Sequence, residues 1–330
     1  VTYGDLMDRL RGKRVLVVGD VMLDEYILGR ATRISPEAPV MVIRKEGYRS
    51  VPGGAANVAA NVLALGGEAV LVGLCGEDAP AQELRDGLEA MGLSTSKVLA
   101  DPSRPTTRKT RILAEGAHQV LRIDEESTAP ASEQVTKRLR REVTAALPEV
   151  DALLLSDYQK GALPPDLIRE LVVLAREAGL PAIGNAKPRS AASYRGATLV
   201  SLNRPESAEA LGVEHLEADE ASSVAAELVR RFGFRHALAT FGREGFAVAG
   251  EALSEPLRVP APSVEVADPA GAGDTTIAAV ALGIAGVGVI PEVFWLAAQV
   301  AAAVVSHTGV AVPQPEDLEG FRARAVGVSS

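Results

Sequence analysis

Asp268-Pro-Ala-Gly-Ala-Gly-Asp-Thr275, running straight into the apolar stretch 276–287, is the segment on which the reading of this chain turns. Two glycines ahead of an acidic residue open a predicted helix over 273–287, so its first backbone N–H groups point outward without intrahelical partners. Such a terminus attracts anions, through both the orphan donors and the helix dipole, and a phosphate suits it. Asp274 would repel a resting phosphate, yet a carboxylate there makes sense as the base for a hydroxyl attacking phosphorus. The plain alternative is a capping acid after a glycine turn.

Working outward, the 330 residues suffice for a large α/β domain with a full core, and the net charge of −9 argues against a nucleic-acid partner. Cys75 is the single cysteine, which excludes an intrachain disulfide and a Cys-rich zinc site and makes a reducing cytoplasm the expected compartment. Residues 1–10 carry Asp5, Asp8 and Arg9 and lack a signal-peptide core. The longest apolar stretch, 277–290, is broken by glycines and too short for a bilayer, so a soluble protein without a membrane partner is expected.

Arg14-Val-Leu-Val-Val-Gly19 reads as a strand buried on both faces. Asp20 and Asp24 follow it, at the edge where open α/β sheets bind ligands. Residues 34–48 alternate and are punctuated by proline, like short antiparallel strands; 52–66 suits a tightly packed helix; 69–74 and 80–91 read as strand and helix. Two alternating segments, 106–113 and 119–124, flank Glu115-Gly116 as a hairpin, and with 34–48 they suggest a small separate sheet, a candidate lid. The chain then returns to strict alternation: helix 131–147, strand 152–156, helix 165–179, strands 181–184 and 198–202, helices 205–211 and 217–232, strands 236–240 and 245–249, helices 273–287 and 291–306. This rhythm predicts a mostly parallel sheet with helices on both faces, in one domain spanning 1–330.

Several short constellations each admit two readings. Gly53-Gly54 with Asn57 can let backbone and amide approach a polyhydroxy ligand, or can be a helix-start turn with a solvated Asn. Asn203-Arg-Pro-Glu206 can hold Mg²⁺ through water by its Glu206 carboxylate, or can simply place an acid in a first helical turn. Thr240-Phe-Gly-Arg-Glu-Gly245 offers Gly242 and Gly245 to a nucleotide, or is an ordinary hairpin loop. Arg33, Lys109, Arg111 and Arg122 on or near the lid are candidates for a substrate phosphate, against the reading of a charged solvated face; Lys160 and Lys187, the latter after Asn185, fall at the ligand edge. No G-x-G-x-x-G follows the first strand and no G-x-x-x-x-G-K-[ST] exists, which disfavours a dinucleotide dehydrogenase and a P-loop enzyme. His118, His215, His236 and His307 have no metal-ligand spacing.

In their order, Gly19-Asp-Val-Met-Leu-Asp24, Gly53-Gly-Ala-Ala-Asn57, Asn203-x-x-Glu206, Thr240-x-Gly-x-x-Gly245 and Gly271-Ala-Gly-Asp274 resemble the ribokinase-like, or PfkB, carbohydrate kinases over almost the whole chain. Arg33-Ile-Ser-Pro-Glu-Ala-Pro39, Leu155-Ser-Asp-Tyr-Gln-Lys-Gly-Ala162 and Tyr194-Arg-Gly-Ala-Thr198 look like the kinase domain of the heptose-phosphate kinase and ADP-heptose synthase group. The resemblance implies a three-layer α/β/α fold with a β lid from about 24–50 and 98–123, which in many relatives forms a dimer contact. It implies ATP-dependent phosphorylation of a sugar, in that group heptose 7-phosphate at its anomeric hydroxyl, with Mg²⁺ and in some members a monovalent cation such as K⁺. By motif position Asp274 is the base, and Gly271, Ala272 and Gly273 form the anion hole. Asp24, Gly53, Gly54 and Asn57 hold the sugar, aided by Arg111, Arg122 and Lys160. Asn203 and Glu206 organise Mg²⁺ and phosphate, and Thr240, Gly242, Gly245, Asn185 and Lys187 fall on the nucleotide side. Two departures stand out: Asn185-Ala-Lys-Pro188 where these kinases usually have Asp-Pro-Lys, and Pro269-Ala270 ahead of Gly271, a change the backbone-built anion hole tolerates. The group's bifunctional members carry a nucleotidyltransferase domain for which 330 residues leave no room, so a kinase domain alone is expected.

Overall fold

The computed structural model describes residues 2–115, 118–307 and 309–327, so Gly116 of the expected turn lies outside the described residues. In chain order come α1 (Tyr3–Leu10), β1 (Arg14–Ile34), β2 (Met41–Gly54), α2 (Ala55–Ala64), β3 (Glu68–Cys75), α3 (Ala79–Ala90), β4 (Val98–Ala100), β5 (Arg108–Ala114) and β6 (His118–Glu125). Then follow α4 (Glu133–Ala146), β7 (Ala152–Ser156), α5 (Pro165–Glu177), β8 (Ala182–Asn185), β9 (Leu199–Asn203), α6 (Arg204–Leu211), α7 (Ala221–Phe232), β10 (His236–Thr240), β11 (Phe246–Gly250) and β12 (Leu257–Val259). Helices α8 (Ala272–Val287), α9 (Pro291–Val304) and α10 (Pro315–Arg322) complete the described chain.

The main sheet has the order β12-β11-β10-β9-β8-β7-β1-β3-β4. It is parallel from β10 to β4, with β11 and β12 antiparallel at one edge. Successive side chains leave a strand on opposite faces, and the cores follow that period. Val15 and Val17 enter one core with α1, α2, α3, α8, α9 and α10, while Leu16 and Val18 enter the other with α4, α5 and α7. The result is a three-layer α/β/α arrangement. Strand order runs one way from β7 and the other way from β1, so a crevice opens between these two strands at their carboxyl ends.

The lid is built differently from the sequence expectation. Strand β1 does not stop at Gly19; it runs for 21 residues, pairing with β3 and β7 as far as Asp20 and from Val21 onward with β2 and β5. No proline interrupts residues 14–34, and Gly29 takes the crossing at a register shift, where a Cβ would lie 2.6 Å from the Arg44 carbonyl oxygen. Of the short antiparallel strands expected within 34–48 there is one, β2, which begins after a turn closed by Ser35 N–H donating to the Val40 carbonyl at 2.8 Å. Strand β6 adds to the outer edge of β5, and the lid order is therefore β2-β1-β5-β6. Residues 98–100, placed with the lid on sequence grounds, form β4 at the edge of the main sheet instead, pairing with β3. Among the described residues no helix is long and apolar enough to cross a membrane.

Candidate active site

Helix α8 begins in the crevice. Gly271 takes a left-handed conformation, φ +87°, which lets the loop turn sharply into the helix, and no side chain caps this N-terminus. Asp268 braces the approach, accepting from Ala270 N–H at 2.9 Å and Gly309 N–H at 3.1 Å. A Cβ added to Gly273 would meet nothing within 4 Å, so the ground over the turn is open. Of the three expected anion-hole groups, Ala272 N–H makes a weak turn bond to the Pro269 carbonyl at 3.3 Å.

In the first turn of α8, Asp274 is buried, with both carboxylate oxygens engaged. Oδ2 accepts from Asn57 Nδ2 at 2.8 Å, and Oδ1 accepts a short bond from the Tyr158 hydroxyl. Burial pushes its pKa up to about 6; the Tyr158 and Asn57 bonds and the Lys187 charge pull against that shift, and the Asp24 charge adds to it. Asn57 is itself held by Asn61, whose Nδ2 donates to its backbone carbonyl at 2.8 Å and side-chain oxygen at 3.3 Å. Thr275 closes the chain, its hydroxyl donating to Asn61 Oδ1 at 2.7 Å. Asn57, expected beside the sugar, thus also touches the candidate base through its Nδ2.

On the acceptor side Asp24 is buried and receives Arg111 Nη1 at 2.5 Å. Gly53 stands opposite Met22 in the register, and a Cβ there would lie 1.9 Å from Asp24 Oδ2. Glycine is what leaves that carboxylate room. Gly54, at φ +60°, starts α2, and a Cβ on it would meet the Asp20 carbonyl at 2.4 Å. The lid cations are less free than their positions suggested. Arg122 lies side-on to Asp124 at 2.9 and 3.0 Å, and Lys160 bonds Glu126 at 2.6 Å. Lys109 reaches Asp124 and Glu126, each at 3.4 Å. Arg33 sits nine residues beyond Asp24 along β1, roughly 30 Å by strand rise, and does not reach this crevice within its own chain.

Toward β9 and β10 lies the third part. Asn203 and Glu206 form a capping box on α6: Asn203 Oδ1 accepts from Glu206 N–H at 2.9 Å, and Glu206 Oε2 accepts from Asn203 N–H at 2.9 Å. The other Glu206 oxygen takes a short bond from Lys187 Nζ, so both carboxylate oxygens already have protein donors. Among the described residues no three His, Cys, Asp or Glu converge as a metal cage. Such a site fits Mg²⁺ that arrives with its nucleotide and keeps most of its water, not a resident ion. Asn185 ends β8, where its carbonyl accepts from Asp157 N–H at 3.0 Å. Thr240 is the register neighbour of Asn203. Gly245 is explained by packing, since a Cβ there would lie 2.1 Å from the Val259 carbonyl; Gly242 has open space around it and alone keeps the reading of nucleotide approach. From β7 to β10 is three strand spacings, roughly 15 Å, the scale of a nucleotide with its phosphates.

Two residues important to this geometry were left without a role on sequence grounds. Asp20 accepts backbone N–H groups from Tyr158 at 2.8 Å, Lys160 at 3.0 Å and Ala162 at 2.9 Å, and so fixes the loop after β7. Tyr158 is what that loop delivers to Asp274. Both lie at the carboxyl end of a predicted strand and inside segments that carry the family resemblance, 19–24 and 155–162, but neither signal points to these bonds.

Comparison with known proteins agrees with this layout. Residues 13–317 match the model of the pfkB family carbohydrate kinases. The chain is 41% identical over 317 residues to the "Bifunctional protein HldE" of Caulobacter vibrioides, covering 96% of this chain and 65% of that protein. The HldE of Gluconobacter oxydans is 39% identical over 314 residues, again with 65% of its length covered, so the chain spans slightly less than two thirds of these relatives. Among solved structures, Escherichia coli phosphofructokinase-2 in complex with potassium superposes with a TM-score of 0.77 at 18% identity, covering 95% of this chain and 98% of that one. Arabidopsis thaliana ribokinase complexed with ribose and ATP gives 0.73 at 20% identity, covering 96% and 100%. With the family model matched over residues 13–317, nearly the whole described chain, the chain belongs to the pfkB family of carbohydrate kinases.

Proposed function

We propose that this chain, as one kinase domain over 1–330, transfers the γ-phosphoryl group of ATP to the anomeric hydroxyl of heptose 7-phosphate. The observation that carries the reading is Asp274: a buried carboxylate with a raised pKa, placed in the first turn of a helix without a side-chain cap, at the switch point of a parallel sheet. A base poised near 6 is ionised at neutral pH and still basic enough to take a proton from a hydroxyl as it attacks. In the step, the sugar O–H proton passes to Asp274, the sugar oxygen bonds to the γ-phosphorus, and the bond to the β-phosphate oxygen breaks, releasing ADP. The backbone N–H groups at 271–273 face the charge that builds on the transferring group. Asp24 takes sugar hydroxyls, and Arg111 with Lys109, Lys160 and Arg122 faces the substrate's 7-phosphate by exchanging carboxylate partners for it.

Magnesium, when bound with the nucleotide, would neutralise charge on the phosphates; Glu206 would hold it through water, and Lys187 would exchange Glu206 for a phosphate. The same reading leaves room for activation by a monovalent cation such as K⁺, checked by activity in potassium against tetramethylammonium salts. The preference for heptose rests on the 41% and 39% identity to HldE proteins and the retained Lys187. The buried Cys75 and the need for ATP favour a cytoplasmic setting. A homodimer through the lid is supported by an apolar row on its face away from Asp24: Ile27, Tyr48, Ile112 and Leu121 are register neighbours across the four strands. ADP release measured with heptose 7-phosphate against fructose, fructose phosphates, ribose and nucleosides tests the substrate. Highest kcat/KM on the heptose phosphate is expected, and a preference for a nucleoside or an unphosphorylated sugar would overturn the assignment.

A further inference from the structure

Nothing in the proposed reaction yet uses Tyr158, although the chain is folded tightly around it. Its backbone N–H and those of Lys160 and Ala162 all end on buried Asp20, and Asp157 Oδ1 takes Gln159 N–H at 2.7 Å. Gln159 is held at φ +56°, an unusual conformation for a residue with a side chain, and a Cβ at Gly161 would lie 2.1 Å from the Ala129 carbonyl. The loop therefore has one conformation, and it aims the tyrosine ring across the crevice. The ring's face is covered by Lys187 Nζ, 5.2 Å from its centroid, and its hydroxyl donates to Asp274 Oδ1. Packing alone would be served by phenylalanine; among the described residues the hydroxyl's one hydrogen-bond partner is the candidate base.

We propose that Tyr158 is a positioning residue for phosphoryl transfer: with Asn57 it fixes the rotation of the Asp274 carboxylate and sets the pH at which that carboxylate is ready to accept a proton. This rests on the reading of Asp274 as the base. A hydrogen bond donated to a carboxylate favours its charged form, so the tyrosine partly offsets the burial that disfavours it. The other charged groups facing this site are Asp24 from β1, Lys187 after β8 and, beside the tyrosine, Glu206 on α6. Lys187 also pairs with Glu206, so the tyrosine ring links the base to the nucleotide side.

The test is the pH profile of kcat/KM for the sugar with Tyr158→Phe, alongside a protein carrying 3-fluorotyrosine at 158, a stronger donor of the same shape. Tyr158→Phe is expected to move the acid limb upward by roughly half to one pH unit and to lower kcat about tenfold, with KM for ATP little changed. The fluorinated protein is expected to move the limb downward. Circular dichroism and thermal melting establish that both proteins fold. Profiles that superimpose on the wild type, with Asp274→Asn inactive, overturn the role of Tyr158 and leave the base standing. Near-normal turnover in Asp274→Asn removes the base itself and this inference with it.

Discussion

Asp274, the proposed base, carries its charge at a cost to the fold. Burial raises its pKa from 3.8 to about 6, so at neutral pH the folded chain holds a charge that its surroundings disfavour, by order 2–3 kcal/mol. The folded pKa lies above the unfolded one, so the favourable protonated state is fully present below about pH 4 and is lost as pH rises through 6. Asp274→Asn should therefore be more stable than the wild type at pH 8, with the advantage fading toward pH 4. Urea titrations at both pH values check this, and Tyr158 can accept from the new amide as readily as it donates to the acid. Activity should behave oppositely, with kcat/KM falling as pH drops through about 6, the limb that reports protonation of the base. Asp274 was legible in the sequence because two glycines precede it and a long apolar helix follows. Its donors were not, since Tyr158 and Asn57 lie 116 and 217 positions away and no local pattern marks them as neighbours.

At the scale of elements, the site is a meeting of strand ends and helix starts. The alternation of helix and strand after residue 130 could be read from hydrophobic period alone, because each strand there is short, apolar and bounded by turn residues. Strand β1 could not, since it changes from a strand buried on both faces to a lid strand without a break, and only the folded pairing shows the continuation. That continuity places Asp24 against Gly53. Gly53→Ala should push the Asp24 carboxylate aside, raising KM for the sugar at least tenfold while KM for ATP changes little, and steady-state kinetics with each substrate varied decides it. On the other side of the crevice, the Asn203–Glu206 box does the ordinary work of a helix start as well as lying at the nucleotide edge. Asn203→Ala should cost about 1 kcal/mol of stability, measured by urea unfolding, and weaken ATP binding in calorimetry.

Across the whole molecule, the sheet sets two ends of one crevice, with Asp274 between them: β1 and the lid, where the proposed function puts the sugar, and β9 and β10, where it puts the nucleotide. The lid's two faces divide the labour, since Asp24, Tyr26, Lys109 and Arg111 lie on one, while Leu121 and Ile123, 51% and 45% exposed, lie on the other. Exposed apolar side chains in such a row suit a second surface, and the proposed homodimer would supply one by symmetry. Replacing Leu121 and Ile123 together by Asp should convert a dimer to a monomer in sedimentation velocity; a wild-type protein already monomeric at micromolar concentration would contradict the dimer. The central claim is narrower, that a buried carboxylate at this helix start removes the proton of a sugar hydroxyl during phosphoryl transfer. It is tested most directly by measuring sugar-dependent ADP release from heptose 7-phosphate and ATP with the wild type and Asp274→Asn side by side. The account predicts rapid release by the wild type and a loss of about 10²–10⁴-fold in kcat for the variant with KM for ATP little changed; comparable turnover by the two proteins would contradict it.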